Sequence, residues 1–541
     1  MKHLLFPLLF LPAMGSVQAQ SQSVGLLREG NLLSNGDHVV SFSHLRVNNA
    51  GDWAVFVQTD NSNPAANEVQ VVNGSIILEE GGVGGPGGVI EEFIDMDLDP
   101  DGNRTTLWRT SAGCQLFYSG DFILSEGADA SGLGLGAATY AEMFKVQVNG
   151  SNQLLLRCLV NAPLVAPIPL SCLVSIEVDA TGNILSETLL GSSGDVFPGQ
   201  TTPFVLFNNG DNAVSFQDDG TGTWSGLLGP AASPSPHVLY QNASTLLAQG
   251  GGASPVPGRN WASQQVQASD SNASGSTAFS GLLDGSTADD EVIVVDGSVF
   301  LREGDTLPGS LMPTVLSFDY FNLFLTDGGD PIYLVRVNTA LGDRIAMRGL
   351  EPMLRKGSFV FQGAQITDLI GGEHGMHASP SGRFLLSRVE LAGSDEALVI
   401  TQDPISQDYC SAEPNSTGTF AQTFAEGSSV ISVGEFGLRI ENAPPTAFAY
   451  FLGSMTEGDV PMAGGSQGRL CLGGSIGRFV TQVGQVSASG TYSIQVDLSA
   501  IPTNPAAQVL PGEIWHFQAW FRDANPGPTS NFSAPVRVEF L

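Results

Sequence analysis

The chain has 541 residues, of which 66 are Gly and 31 Pro; only 14% are charged and 42% are hydrophobic. A single hydrophobic core stops growing at roughly 250–300 residues, so this length requires several domains or a repeat array. Lys plus Arg at 21 against Asp plus Glu at 54 leaves a formal net charge of −33, which repels nucleic acid and anionic lipid and argues against any polyanion partner. The turn-rich, weakly charged profile points to an all-β class.

Residues 1–19 read as a signal peptide. Lys2 precedes an apolar run from Leu4 to Leu11, and small residues end at Val17-Gln18-Ala19. The run is too short to span a bilayer, and no later stretch approaches the ~20 apolar residues of a membrane helix. The expectation is an exported protein without a membrane-spanning segment, placed outside the cell, on its surface or in the periplasm.

Residues 20–404 read as a tandem repeat. Its clearest copy is Val294 to Gly309: an apolar run, an Asp-Gly turn, a second apolar run and a Gly/Pro stop, which is a hairpin signal. The end of that unit, an apolar pair followed by polar residues and Gly, recurs at Gly30, Gly81, Gly127, Gly194, Gly250, Gly304 and Gly363. Such intervals suit a four-stranded propeller blade of ~40–50 residues. Between the markers lies a second hairpin, as in Asn48-Asn-Ala-Gly-Asp52, Asp99-Pro-Asp-Gly-Asn103, Asp327-Gly-Gly-Asp330 and Ser379-Pro-Ser-Gly382. Two hairpins make four strands.

The last repeat ends at Asp395-Glu-Ala-Leu-Val-Ile400 with no partner strand after it, while Val24-Gly-Leu-Leu-Arg-Glu-Gly30 opens the array as an orphan partner. The expected architecture is therefore a seven-bladed β-propeller closed by the N-terminal strand, since closure removes two exposed sheet edges. An open solenoid is the alternative.

Residues 405–541 change texture and read as a C-terminal β-sandwich. In its strand Trp515 to Arg522, alternation places Trp515, Phe517, Ala519 and Phe521 on one face and His516, Gln518, Trp520 and Arg522 on the other. The first face is expected in the core. The second is a candidate ligand-binding face, where Trp520 could stack on a sugar beside polar groups; the competing reading is that the loop Asp523 to Phe532 packs over Trp520.

The run Asp95-Met-Asp-Leu-Asp-Pro-Asp101 is a candidate Ca²⁺ site through Asp95, Asp97, Asp99 and Asp101, because hard cations take several carboxylates. The competing reading is a solvated strand leading into a turn; the residue twelve into the loop is Thr106, not the Glu of an EF-hand. No other cofactor is expected. Glu373-His374-Gly-Met-His377 reads as a turn with solvent histidines, since Gly375 and Pro380 oppose the helix of a His-Glu-x-x-His site. Of the five cysteines, proximity suggests Cys158 with Cys172 and Cys410 with Cys471 as disulfides, leaving Cys114 unpaired. No nucleophile elbow, triad or phosphate loop is visible. Paired carboxylates for glycoside hydrolysis would come from different blades and leave no local motif.

The Asn/Asp-x-x-Gly hairpins and the ending Glu303-Gly-Asp-Thr-Leu-Pro-Gly309, with its relative Ser193-Gly-Asp-Val-Phe-Pro-Gly199, resemble an uncharacterised family of secreted bacterial tandem-repeat proteins. Tyr409-Cys410, Gly464-Gly-Ser-Gln-Gly-Arg-Leu-Cys-Leu-Gly-Gly474, Phe517-Gln-Ala-Trp-Phe-Arg-Asp523 and Ser530-Asn-Phe532 resemble a C-terminal module of planctomycete-type secreted proteins. That resemblance supports Cys410 with Cys471 and carries no activity. The expectation is a non-enzymatic secreted protein binding an extracellular protein or glycan. The alternative is a propeller hydrolase or lyase acting on extracellular polysaccharide, which carboxylates with Arg or Tyr in the central funnel would favour.

Overall fold

Glu291–Val295 pairs antiparallel with Ser298–Arg302 across Asp296-Gly297, whose φ angles are 47° and 73°. Two successive positive φ angles define a type I′ turn, whose twist matches that of the flanking strands. Asn73-Gly74 and Ser119-Gly120 repeat it. The turn residue also ties the hairpin to its neighbour: Asn73 Oδ1 accepts from Trp53 N at 2.8 Å, Asn242 Oδ1 from Gly222 N at 2.7 Å and Asp296 Oδ1 from Thr277 N at 2.9 Å. The recurring glutamates have a matching task. Glu29, Glu80, Glu126 and Glu303 each accept, through Oε2, a backbone N–H of the adjoining strand at 3.2 Å.

This computed structural model describes residues 22–540 apart from 100–101, 167, 180–181, 208–213, 218–219, 221, 230–235, 243, 308–312, 339–343, 358–359, 403–411, 428–430, 432–435, 489, 511–512, 525–526 and 528. The expected signal peptide and its cleavage site lie outside the described residues. The fold is all-β, and no helix among the described residues is long and apolar enough to cross a membrane.

Up to residue 402 the strands form seven antiparallel sheets in chain order. Sheet 1 begins with Val39–Val47, sheet 2 with Glu92–Leu98, sheet 3 with Thr139–Val148 and sheet 5 with Trp261–Ser271; sheet 6 begins with Val315–Leu325. In sheet 4 the first position is shared by Phe204–Phe207 and Val214–Phe216, and in sheet 7 by Ala364–Leu369 and Met376–Ala378. Sheet 7 takes Gln22–Arg28 as the partner of Glu396–Gln402, with Val24 opposite Ile400.

Seven apolar cores hold these sheets side by side. Ala54 and Phe56 of sheet 1 pack with Phe93 and Trp108 of sheet 2, and comparable cores join sheets 2 and 3, 3 and 4, 4 and 5, 5 and 6 and 6 and 7. A further core brings Val24, Leu26, Leu398 and Ile400 of sheet 7 against Val39, Phe42 and Trp53 of sheet 1. Each buried aliphatic or aromatic side chain contributes roughly 1.5–3 kcal/mol.

After residue 411, one three-stranded sheet contains Gln422–Gly427, Phe436–Glu441 and Tyr492–Gln495, and a second is centred on Phe448–Ser454 and Ile514–Asp523. Phe436, Leu438 and Ile440 of the first share a core with Phe451, Trp515, Phe517 and Phe521 of the second. Alternation thus assigns the buried face of this strand as expected. The hairpin Thr456–Pro461 with Arg469–Gly473 packs against the opposite face.

The cysteines correct one expectation. Cys158 and Cys172 stand opposite each other in register on neighbouring strands, yet both are free, buried thiols, as is Cys114. Opposed residues of an antiparallel pair hold Cβ atoms ~4.5–5.5 Å apart, wider than the ~3.8 Å that a disulfide prefers. Burial pushes the Cys172 thiol up to about 12 and Cys158 well above its ordinary value. Cys471 is buried and disulfide-bonded; Cys410 lies outside the described residues.

Candidate functional site

The first strand of each sheet ends in a hairpin turn, and these turns fasten each sheet to the next. Asn48 shows how. Its Oδ1 accepts from Ala50 N and Asp52 N, so the side chain caps its own turn, while its Nδ2 donates to Asp99 O of sheet 2 at 3.1 Å. Asn149 repeats this toward Gln217 O at 2.8 Å, and Asn272 toward Thr326 O at 3.0 Å. Gln217 Nε2 donates to Ser271 O, Asp327 N to Pro380 O at 2.7 Å and Ser381 N to Asn49 Oδ1 at 2.7 Å. Sheets 2 and 3 are joined by Asp97 Oδ2, which accepts from Val148 N at 2.9 Å. Buried polar groups of this kind must be paired, and here the pairing runs across every seam.

Two residues before each turn cap, the strand period directs a side chain toward the middle of the molecule. These residues are Arg46, Asp97, Gln147, Ser215, Asp270, Phe324 and His377, one from each sheet, and all seven line a single cavity of ≈ 180 Å³. At ~30 Å³ per water, that is space for about six waters. Asp327 and Pro380 also line it and are exposed at the turns.

The electrostatics of the cavity are uneven. Arg46 is 5% exposed; it donates to Leu45 O at 2.8 Å, to Asp95 Oδ1 at 3.2 Å and through Nε to Asp97 Oδ1 at 3.2 Å. Burial raises the Asp97 carboxyl to about 6, opposed by Arg46 and by the Val148 N–H. Asp270 accepts from Leu325 N at 2.7 Å and from Ser271 N at 2.8 Å, yet burial still raises it to about 7. The cost of removing charge from water thus outweighs the hydrogen bonds in both groups. Val47 N donates to His377 Nδ1 at 3.2 Å, so that nitrogen is unprotonated in this arrangement and the neutral ring carries its proton on Nε2.

Three of the candidate Ca²⁺ carboxylates, those of Asp95, Asp97 and Asp99, are engaged by protein partners. Asp95 is 2% exposed, and besides Arg46 its carboxylate accepts from Val146 N at 2.9 Å. Asp99 holds its own turn by accepting from Asn103 N and Nδ2 and takes the Tyr118 hydroxyl at 3.0 Å. Asp101 lies outside the described residues. No group of three or more His, Cys, Asp or Glu that could hold a metal occurs among the described residues. The solvated-strand alternative fails as well, because Asp95 and Asp97 face the next sheet and the cavity, not bulk water.

The candidate ligand face at the C-terminal strand is also corrected. Gln518 is fully buried: its Oε1 accepts from Cys471 N at 2.9 Å, and its Nε2 donates to Arg469 O and Ser533 O. Trp520 packs on Tyr450 at 5.1 Å between ring centroids, within a second apolar core that includes Leu472 and Phe532. His516 is 4% exposed, 3.7 Å from Glu457. Only Arg522 is exposed. The hairpin over this face turns it into interior. The two histidines expected in solvent are half-buried: His374 packs against His44 with ring centroids 4.0 Å apart and the rings tilted by 33°, and His377 lines the cavity.

Asp270, Asp327, Arg46 and His377 escaped notice as a set because no local motif joins them. The available signal for Arg46, Asp270 and His377 is their common position two residues before a turn cap; Asp327 lies in the turn itself.

No protein-family model matches the chain, and no curated protein matches it. Among solved structures, it is similar to a Penicillium chrysogenum α-L-arabinanase complexed with arabinobiose, at 12% identity over 71% of this chain and 99% of that one, with a TM-score of 0.31. A Xanthomonas campestris gluconolactonase matches at 8% identity over 72% and 99%, TM-score 0.27. Trypanosoma rangeli sialidase in complex with the inhibitor DANA matches at 10% identity over 96% and 94%, TM-score 0.27.

Proposed function

We propose that the seven sheets are the blades of a closed β-propeller, that residues 405–541 form a separate β-sandwich module stapled by Cys410 and Cys471, and that the protein is exported. Within it, the central cavity is a glycosidase site acting on extracellular polysaccharide. One observation carries this reading: Asp97 and Asp270, supplied by different sheets, open on the same polar cavity beside Arg46, and burial raises the two carboxyls, to about 6 and about 7. The criterion set by the sequence, carboxylates with Arg in the central funnel, is met, and it favours hydrolysis over a passive scaffold.

Glycoside hydrolysis needs one carboxyl that keeps its proton and one that has lost it. Asp270, the higher of the two, protonates the departing glycosidic oxygen. Asp97, ionised first and held by Arg46, takes a proton from the water that attacks the anomeric carbon. The products are a new reducing end and a shortened chain.

Incubation of the exported chain with a panel of neutral and amine-bearing oligosaccharides, followed by reducing-end quantification, tests the reading. Release by the wild type should fall about 10²- to 10⁴-fold in Asp270→Asn and Asp97→Asn, the usual contribution of general acid–base groups. Unchanged release in either variant sinks it. A second reading has one observation in its favour: both carboxylates already accept backbone N–H groups from the neighbouring sheet, so they could serve binding and architecture alone. Calorimetric binding without any new reducing ends would decide for that reading.

A further inference from the structure

The hairpin Thr456–Pro461 with Arg469–Gly473 covers only part of the sheet face that carries Trp520. Residues directly opposed in an antiparallel pair share a face, as do residues two apart along one strand. By that rule Arg478, opposite Leu452, and Tyr450, opposite Trp520, lie on this face together with Phe448 and Arg522. Gln518 is sealed beneath the hairpin, but one step further along the face the cover thins. Tyr450 and Trp520 are half-buried, and Phe448, Arg478 and Arg522 are exposed; half of the Phe448 surface is open to solvent, at 50%. Three aromatic rings thus stand between two arginines.

The charge of these arginines is a separate observation. Other surface arginines are ion-paired, as Arg109 is with Glu92 and Arg469 with Asp459, whereas among the described residues Arg478 and Arg522 meet no carboxylate and make no hydrogen bond. Asp523, next to Arg522, faces the other side of its strand, where it accepts from Ser416 N at 2.9 Å and from Asn531 Nδ2 at 3.3 Å. Burial raises the Tyr450 phenol and the charge of Arg478 opposes that rise, which places this guanidinium near the ring. In a chain with a net charge of −33, two unneutralised cations on one sheet face mark a place where an anion is favoured. The acidic surface repels a polyanion at long range, but salt screens that repulsion beyond ~8 Å, and at contact the local charges decide.

From this geometry we infer that the open end of the face binds a carboxylated polysaccharide, a chain of uronate sugars. The C–H faces of the sugar rings stack on Phe448, Tyr450 and Trp520, and the carboxylates take the guanidinium forks of Arg478 and Arg522. The rings favour a sugar over an acidic peptide, because each pyranose unit offers a flat apolar face of ring size and a run of acidic side chains offers none. Two strand spacings across and four residues along separate the two arginines, roughly 16 Å between Cα atoms, so the ligand is an oligomer and not a single sugar. This site lies in the C-terminal sheets and does not depend on the central cavity being a glycosidase.

The test is isothermal titration calorimetry of the full exported chain with tetragalacturonate and with its methyl ester, which keeps the skeleton and removes the charge. The acid should bind about tenfold more tightly than the ester, a margin that narrows as salt is added. Arg478→Gln and Arg522→Gln should each reduce that preference, and the double variant should abolish it, with the melting temperature unchanged because both side chains are exposed and unpaired. Phe448→Ala should weaken both probes alike, and Asp270→Asn should weaken neither. Equal affinity for acid and ester, binding of neither, or a preference that survives the double substitution overturns the inference. Loss of binding in Asp270→Asn overturns it as well, by moving the acidic sugar to the central cavity. Hexaglutamate binding as tightly as tetragalacturonate would make the face an acidic-peptide surface and sink the sugar assignment. None of these results bears on reducing-end release by the cavity, so the glycosidase reading fails or stands separately.

Discussion

Asp270 is pulled in two directions, and the balance has a measurable sign. Two backbone N–H groups favour its anion, whereas burial favours the neutral acid and raises its carboxyl to about 7. In the unfolded chain the same group titrates near ~3.9. Between those values the unfolded state ionises more readily than the folded one, so folding loses stability as pH rises from about 4 to about 7. Asp97, raised to about 6, acts in the same sense up to its own value. The Asp270→Asn variant lacks this slope: its melting temperature, relative to wild type, should be lowest near pH 4 and improve steadily toward pH 8. A constant difference across that range would mean that Asp270 is ionised throughout. If hydrolysis occurs, kcat/KM should rise through about 6 as Asp97 ionises and fall through about 7 as Asp270 does.

Gln518 illustrates the opposite fate of a polar side chain. Its amide joins the backbone of Arg469, Cys471 and Ser533. Gln518→Ala leaves these buried groups unpaired, and the expected loss is about 2–4 kcal/mol, read from chemical denaturation. Alternation along the strand correctly separated Gln518 and Trp520 from the face of Trp515 and Phe517. It could not show that a hairpin some fifty residues earlier in the chain covers the second face, since nothing in a single strand encodes what lies above it.

Among the hairpins, the Asn caps do two jobs that substitutions can separate. Asn272→Asp keeps the Oδ1 that holds Ser274 N and Ser276 N but replaces the donor to Thr326 O with an anion facing a carbonyl. The latch between sheets 5 and 6 should weaken by about 1–3 kcal/mol. Asn272→Ala removes the turn cap as well and should be more destabilising in the same urea titration; an Asp variant as stable as wild type would show that the latch contributes nothing, and equal losses that the cap contributes nothing. These caps were legible because Asn, Asp and Gly have few roles outside turns. The Asp-Gly and Asn-Gly turns and the marker glutamates were equally readable, being local devices repeated in one chain. The cavity was not, because the seven strand residues directed into it share a position and not a chemical type. Charge near Asp95 suggested calcium, yet the partners that neutralise it, Arg46 and the backbone of residues 146 and 148, are about fifty residues away on either side.

Sheet 7 differs from the other six because the chain is not continuous through it: Glu396–Gln402 pairs with Gln22–Arg28, which then leads into Val39–Val47 of sheet 1. Sheet 7 depends on a strand from the far end of the repeat region, and Val24 and Leu26 of that strand complete the core shared with sheet 1. Arg28 adds an ion pair with Asp395 at 2.6 Å, half-exposed and therefore secondary to the apolar contacts. A Cβ on Gly25 would collide with the Phe361 ring, so this strand must also lie close against its sheet. Deleting residues 20–30 removes two buried apolar side chains and uncovers the edge of Glu396–Gln402. If the array is a closed ring, calorimetry should show the transition of the repeat region moving to lower temperature as a unit while that of residues 405–541 stays in place, and a synthetic peptide spanning residues 20–31 should restore it when added in excess. Retention of the original transition by the truncated chain would mean that the strand decorates one sheet without closing anything. The cavity would then be the end of an open array, and the glycosidase reading would lose the rigid frame on which its two carboxylates depend.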